Sequence, residues 1–172
     1  MAVFQRDIWR YQLRDALIYW VYIPAAVIGS GLLLDRLTGA ERLPFSGLLY
    51  AVGAVPGGLG GWLMQRATSD LDRYGNGTPN PRRPPRRLVT EGVYRLCRHP
   101  MFLGYDLAAL GVVLCWRSPC MLLLSFPMLL FFEVLFLRKE EKYLARRYGD
   151  SFTEYRKKVP MLLPSFRSGE KQ

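Results

Sequence analysis

Four long stretches of this 172-residue chain contain almost no charged residues. They are 16–34, 43–64, 99–116 and 118–137, of which only the last two are interrupted, by Asp106 and Glu133. Each stretch approaches the roughly 20 residues that a helix needs to cross about 30 Å of hydrocarbon. We therefore predict an all-α integral membrane protein with about four transmembrane helices.

The positive charges fall on one side of these predicted helices. Three arginines precede the first stretch, eight lie between Arg66 and Arg98, and ten lysines or arginines lie between Arg138 and Lys171. The opposite side carries only Arg36, Arg42 and Arg117. Because cytoplasmic loops are enriched in lysine and arginine, we predict that both termini and the long middle loop face the cytoplasm.

The net charge of +10 is explained by basic residues that flank membrane helices and attract anionic lipid headgroups. Nucleic acid is the rival partner for such a charge, but no nucleic-acid-binding motif accompanies it. The three cysteines, Cys97, Cys115 and Cys120, form no CxxC pair, and we predict no metal site. A disulfide between Cys115 and Cys120 is less favoured than two small apolar side chains.

Glycines stand out in the second stretch, where Gly53, Gly57 and Gly61 form overlapping GxxxG spacings. This pattern predicts close helix packing, and it also allows a homo-oligomer through the second helix. From Asp70 to Arg87 the prolines and glycines predict a loop. Ser151 and Glu154 have the spacing of a capping box, which predicts a further short helix that ends before Pro160.

The single histidine, His99, lies between Arg98 and Pro100 at the start of the third apolar stretch. Proline is well suited to the first position of a helix, so this tripeptide predicts a helix entrance. The free amides and the positive dipole end of such an entrance favour an anionic group, for example a carboxylate. The alternative is that Arg98 and His99 only anchor the helix at the headgroups.

Acidic residues mark the far end of the fourth stretch. Glu133 and Glu140 are seven residues apart and project from nearly the same helical face, and Glu141 lies about 100° around the helix from Glu140. A carboxylate inside an apolar segment is costly, so Glu133 should face protein or a watery cavity. The alternative for Glu140 and Glu141 is a solvated helical turn whose acids pair with neighbouring cations.

Several spaced motifs resemble one family. The sequence LVTEGVYRLCRHPMFLG begins at Leu88, EEKYLARRYGDSFTEYRKKVP begins at Glu140, and GNGTPNP begins at Gly75. In this order, across about residues 70–166, they resemble the isoprenylcysteine carboxyl methyltransferase and phospholipid N-methyltransferase superfamily. The resemblance implies one domain over 1–172, with two N-terminal helices in 1–69 and a cytosolic cofactor-binding half in 70–172.

The resemblance also implies a cofactor, a site and a substrate class. The cofactor is S-adenosylmethionine, and the acceptor is a lipophilic membrane molecule such as an isoprenylcysteine carboxylate, a phospholipid amine or a thiol. The implied cofactor-binding residues are Leu88, Val89, Tyr94, His99, Pro100, Met101, Phe102, Glu140 and Glu141. We identify no catalytic base, although His99 or Glu133 could accept a proton from an amine acceptor.

Two positions depart from the family pattern. Relatives usually have tyrosine where this chain has Phe102, and the isoprenylcysteine branch has a substrate-contacting arginine where this chain has Phe136. The candidate substrate residues are therefore Arg138, the nearest cation, and Glu133. The competing interpretation is a non-catalytic membrane protein that retains the fold as a packing or interaction module.

Overall fold

The computed structural model describes residues 21–44, 46–78 and 85–164, and no β-strand occurs among them. A 3₁₀ turn (Gly92–Arg95) lies before the third helix, and a π-helical turn (Met121–Ser125) leads into the fourth. The helices are α1 (Ile23–Thr38), α2 (Ser46–Gly75), α3 (Pro100–Trp116), α4 (Phe126–Tyr148) and α5 (Asp150–Lys158). The predicted all-α fold class is confirmed.

Two helical segments, Gly47–Gly75 and Met121–Tyr148, are long and apolar enough to cross a membrane. In the apolar 18-residue part of these two segments, only 17% and 22% of the residues are buried. A helix in the core of a soluble protein would be buried all round. The helix α3 is apolar but shorter, with 17 residues. Residues 16–20 of the first apolar stretch lie outside the described residues, so the four-helix topology stays a prediction.

The chain forms two compact units, of which the first consists of Met1–Ala54 and Ala109–Glu133. Within it, α1 packs closely on the π-helical turn, because a Cβ at Gly31 would lie 2.6 Å from the Cβ of Met121. The hydroxyls of Ser30 and Ser125 are 2.9 Å apart. Asp35 accepts a hydrogen bond from the Cys120 amide at 3.0 Å. These contacts dock the start of the fourth helical segment on α1.

The second unit consists of Val55–Ala108 and Val134–Gln172. Its core contains Leu63, Ala67, Val89, Val93 and Tyr94. From Gly60 to Asp70, the buried residues of α2 follow one another at intervals of three, four and three, which is the spacing of a single helical face. They are Gly60, Leu63, Ala67 and Asp70.

The glycines of α2 pack in a different register from the predicted one. Gly53 is buried, and a Cβ there would lie 2.8 Å from the carbonyl oxygen of Gly111, so its predicted packing role is confirmed. Gly57 and Gly61 have no atom within 4 Å of an added Cβ. Two further glycines of α2 are closely packed, because an added Cβ would lie 2.6 Å from the Ala108 amide nitrogen at Gly60 and 2.8 Å from Val89 Cγ2 at Gly75. Gly60 lies seven residues after Gly53, which is about two helical turns and therefore nearly the same face.

The predicted loop boundary at Asp70 was wrong, because α2 continues to Gly75. The Asp70 carboxylate is buried and accepts a hydrogen bond from the Val93 amide at 2.9 Å. Leu71 and Tyr74 pack against the core. These tertiary contacts stabilise 1.5 further helical turns that local polarity did not indicate.

The C-terminal elements agree with the sequence except at one cap. The fourth helix ends at Tyr148. The short helix α5 ends before Pro160, as predicted. However, α5 begins at Asp150 after Gly149, which has φ +56°, and no side chain caps it. The predicted capping box was therefore wrong, since the Glu154 carboxylate instead binds Lys157 at 2.7 Å.

Candidate functional site

The entrance of α3 is held by the chain that follows α5, which we call the strap (residues 159–163). The helix begins at Pro100 as predicted. The amides of Arg98 and His99 donate to the carbonyls of Pro160 at 2.9 Å and Met161 at 3.1 Å. The strap therefore takes up two amides at this entrance. The first-turn amides of Met101 and Phe102 have no acceptor within their own helix.

Four ionisable side chains of the second unit meet beside this entrance. Arg98 Nη2 lies 2.6 Å from Glu141 Oε1. His99 Nε2 is 3.6 Å from the same Glu141 oxygen, and His99 Nδ1 is 3.9 Å from Glu140 Oε2. The histidine ring therefore lies between the two carboxylates. Both histidine distances exceed those of a hydrogen bond, so the imidazole is near the acids without being bonded to them.

The four side chains differ in exposure. Arg98, His99 and Glu141 are between 5% and 10% exposed, whereas the Glu140 side chain is 35% exposed. His99 Nε2 and Glu140 Oε2 are buried atoms that have no hydrogen-bond partner within the described part of the chain. Buried polar atoms are normally bonded, so their orphaned state fits a polar ligand that would complete them.

Two aromatic rings continue the site from the acid pair towards the middle of α4. The ring of Phe102 is 6.1 Å from the imidazole of His99 in an edge-on arrangement. It is also 5.9 Å from the ring of Phe136. Phe136 lies one turn before Glu140, so an apolar side chain and a charged side chain are neighbours on the same face of α4. The two departures from the family pattern are thus in contact.

Tyr94 links this cluster to the core. It is buried, and its carbonyl accepts a hydrogen bond from the Tyr155 hydroxyl at 2.6 Å. Burial raises the pKa of the Tyr94 hydroxyl far above its usual range, and the negative charges of Asp70 and Glu140 act in the same direction. Tyr94 therefore stays a neutral hydrogen-bonding group at physiological pH.

The segment that contains Leu88 and Val89 is fixed at its start. The carbonyl of Pro85 accepts from Arg147 Nη2 at 2.7 Å and from the Tyr148 hydroxyl at 3.2 Å. Val89 is 4% exposed and belongs to the core, whereas Leu88 is half-buried. Of the two, Leu88 is the side chain that could still contact a ligand.

No recorded ion pair joins the two candidate substrate residues to the acid pair. Arg138 is exposed, and it projects about 160° around α4 from Glu140. Glu133 is buried at 8% exposure and belongs to the first unit. Neither residue forms an ion pair with Arg98, His99, Glu140 or Glu141 among the pairs that the described residues show.

Sequence reasoning missed three parts of the site. The sequence predicts Arg98 as part of a helix entrance or as a headgroup anchor, but its guanidinium contacts Glu141 and the end of α5. Tyr155 and the strap were not considered as site residues. A signal for Arg98 was its place next to His99. The contacts of Tyr155 and the strap join positions about 60 residues apart, which no local pattern reveals.

Comparison with known proteins identifies relatives of this chain. A family model described as phospholipid methyltransferase matches residues 48–151. A protein-S-isoprenylcysteine O-methyltransferase from Schizosaccharomyces pombe is 41% identical over 78 residues, and one from Saccharomyces cerevisiae is 36% identical over 77 residues. Methanethiol S-methyltransferase 1 from Bradyrhizobium diazoefficiens is 31% identical over 87 residues.

These relatives are longer than this chain. The alignments cover 45%, 45% and 49% of this chain but only 33%, 32% and 28% of the respective relatives. The chain therefore matches about a third of the length of the curated proteins it resembles. No solved structure matches the chain at a significant level.

Proposed function

Because this chain belongs to the phospholipid methyltransferase family, we propose that it is an integral-membrane methyltransferase that uses S-adenosylmethionine and methylates a lipophilic acceptor. The observation that carries the proposal is the cluster of His99, Glu140 and Glu141 at the entrance of α3, with buried polar atoms that have no hydrogen-bond partner among the described residues.

The charges of the cluster suit the cofactor. S-adenosylmethionine carries an ammonium, a carboxylate and a sulfonium. Glu141 is paired with Arg98, whereas Glu140 is more exposed and its recorded ion-pair partner among the described residues is the histidine at 3.9 Å. Glu140 is therefore the carboxylate that would bind a cationic group. The amides of Met101 and Phe102, which have no acceptor within their own helix, would bind the cofactor's carboxylate, since a helix N-terminus favours an anion.

Tyr94, Leu88 and Pro100 would complete the cofactor site. Tyr94 presents a neutral side chain whose pKa responds to Glu140, and Leu88 remains half-buried beside the core. When bound, the cofactor would supply an electrophilic methyl group on its sulfonium. The protein would contribute orientation, a partly dry environment and a fixed negative charge, and no covalent bond to the enzyme is required.

The aromatic pair Phe102 and Phe136 suits the acceptor side of the site. Its rings lie one turn beyond the acids, at the level where α4 becomes apolar. A lipophilic acceptor would lie against these rings while its nucleophile points towards the methyl group. Glu133 and Arg138 remain proposed substrate residues at greater distance, and the active site and both termini are proposed to face the cytoplasm.

The acceptor chemistry follows from the charges at this level. An amine acceptor gains a positive charge when its nitrogen bonds the methyl carbon and the sulfur keeps the electron pair of the broken bond. That charge would develop near Glu140 and two aromatic faces, which stabilise cations. A carboxylate acceptor would place a second anion near Glu140 without a facing cation at this level. The site therefore favours a lipid amine over a carboxylate or a thiol, because a thiol reacts as its thiolate, which is also an anion.

Titration of the detergent-purified protein with S-adenosylmethionine tests the proposed function. We expect wild type to bind and Glu140→Gln to bind at least about tenfold more weakly, because a charge-assisted contact is lost. Glu154→Gln is the matched control, since Glu154 is 59% exposed and binds only Lys157 among the described residues. His99→Ala should also weaken binding.

Binding must then be connected to transfer. The purified protein is incubated with cofactor that carries a labelled methyl group and with one acceptor at a time. The acceptors are membrane extract, a phosphatidylethanolamine vesicle, a prenyl-cysteine and a long-chain thiol. Label in one lipophilic product supports an enzyme. If wild type neither binds the cofactor nor transfers label, the proposed function is wrong. A specific oligomer without transfer would instead support a packing module.

A further inference from the structure

Arg98 makes more polar contacts than the site itself requires. Its Nη1 donates to the carbonyls of Arg156 at 2.9 Å and Val159 at 3.0 Å. Its Nη2 binds Glu141, and its own amide donates to Pro160 at 2.9 Å. One side chain thus joins the end of α5, the strap and one of the two adjacent glutamates.

The chemistry of these partners explains why an arginine lies here. The last carbonyls of a helix have no intrahelical donor and carry the negative end of the helix dipole. A guanidinium offers several donors in a rigid planar fork, so it can bind two carbonyls and a carboxylate together. The Arg98 side chain is only 9% exposed, so water competes weakly for these bonds.

The two neighbouring glutamates therefore have different surroundings. Glu141 has a guanidinium at 2.6 Å and is 10% exposed. Glu140 is 35% exposed, and its nearest recorded basic atom is His99 Nδ1 at 3.9 Å. A fixed Glu141 also limits the rotation of α4, and that rotation decides where Glu140 points.

We propose that Arg98 is a positioning residue, which neutralises Glu141 and fastens the strap to the entrance of α3 so that Glu140 alone is presented to a cationic ligand. This inference rests on the proposed function, because the ligand in question is the cofactor. Arg98 itself needs no contact with the cofactor or the acceptor.

Cys97 provides a direct measure of this fastening. Its side chain is fully buried next to Arg98, and burial raises the pKa of its thiol to about 11. A thiol in this state reacts slowly with alkylating reagents, because it is both inaccessible and protonated. We expect release of the strap to expose it, because the next residue, Arg98, donates its backbone amide to Pro160 of the strap. Cys115 and Cys120 are partly exposed, so labelling is quantified on the peptide that contains Cys97.

The test compares Arg98→Gln with wild type and with Arg95→Gln, an exposed arginine three residues earlier. We expect Arg98→Gln to raise the rate of maleimide labelling at Cys97 by at least about tenfold and to weaken S-adenosylmethionine binding about tenfold or more. Arg95→Gln should leave both quantities within about twofold of wild type.

Arg98→Lys separates charge from geometry and serves if Arg98→Gln does not fold. A lysine keeps the charge beside Glu141 but loses the planar fork. We expect Cys97 labelling to stay fast in this variant while cofactor affinity recovers in part. A purely structural arginine would change labelling and thermal stability but not the cofactor affinity of the folded protein.

Each outcome decides the inference. Labelling of Cys97 at the wild-type rate in both Arg98 variants would overturn the fastening. Faster labelling with unchanged cofactor affinity would overturn the positioning role. If wild type does not bind the cofactor, the proposed function fails and the positioning role falls with it, whereas the labelling comparison still decides whether Arg98 holds the strap.

Discussion

The close packing of α2 on α3 predicts opposite effects for two neighbouring glycines. A Cβ added at Gly60 would lie 2.6 Å from the Ala108 amide nitrogen and would also meet the carbonyl oxygen of Gly104. A Cβ added at Gly61 would meet nothing within 4 Å. We therefore expect Gly60→Ala to destabilise the second unit and Gly61→Ala to leave it unchanged or slightly more stable.

The size of the effect follows from the contact distances. The obstructing atoms at Gly60 are backbone atoms, which cannot rotate away as a side chain can. The helices must separate by about 0.8 Å locally to bring the contact with Ala108 to an ordinary distance, and closely packed interiors resist such shifts. Overpacking of this kind costs about 1–3 kcal/mol. At Gly61, alanine instead gains up to about 1 kcal/mol of helix propensity.

Thermal unfolding of both variants in detergent, followed by circular dichroism, measures the difference. For a chain of this size we expect the Tm of Gly60→Ala to fall by about 3–10 °C. The Tm of Gly61→Ala should equal or exceed that of wild type. Equal Tm values for the two variants would refute the packing of α2 on Gly104 and Ala108. A fall for Gly61→Ala alone would restore the GxxxG register predicted from sequence.

Three further predictions concern contacts that support the site. Asp70→Ala leaves the Val93 amide without its acceptor and should cost about 2 kcal/mol by thermal unfolding. The change Glu41→Ala at an exposed position should cost little, and similar losses at both sites would contradict this reasoning. Tyr155→Phe removes the donor to the buried Tyr94 carbonyl and should lower the free energy of unfolding by about 1–3 kcal/mol. Tyr143→Phe should change it by almost nothing, because the Tyr143 side chain is 59% exposed. The pKa of Cys97 is raised from 9.0 to about 11, so above pH 9 the unfolded chain releases this proton first and stability falls as pH rises. Cys97→Ala should reduce that alkaline fall between about pH 9 and 11, and an unchanged slope would show that this thiol does not contribute.

The sequence determined the elements that depend on local patterns. Long apolar runs predicted helices at α2, α3 and α4, and the structure has them. Pro100 begins α3, and the helix containing Glu140 stops at Tyr148 before Gly149. These signals are local because proline fixes its own backbone angle and glycine tolerates the left-handed conformation found at φ +56°.

Part of the candidate site was also readable from the sequence. The motifs around His99 and Glu140 pointed to the same site, and the structure places the two side chains 3.9 Å apart at their nearest nitrogen and oxygen. The sequence showed that Phe102 and Phe136 replace polar residues of the family pattern. It did not show that the two phenylalanine rings are in contact. Two residues that are 34 positions apart meet only because α3 and α4 pack together.

Only the tertiary structure decided which glutamate is available and what holds the entrance of α3. Glu140 and Glu141 are indistinguishable as an acidic pair in the sequence. They differ in the fold because they project about 100° apart, so one meets the Arg98 guanidinium and the other stays partly exposed. The same holds for the glycines, since Gly60 and Gly61 are alike in sequence and only helix packing separates them. His99, the one histidine of the chain, was conspicuous from the start, but its place between two unlike acids results from contacts that no local pattern encodes.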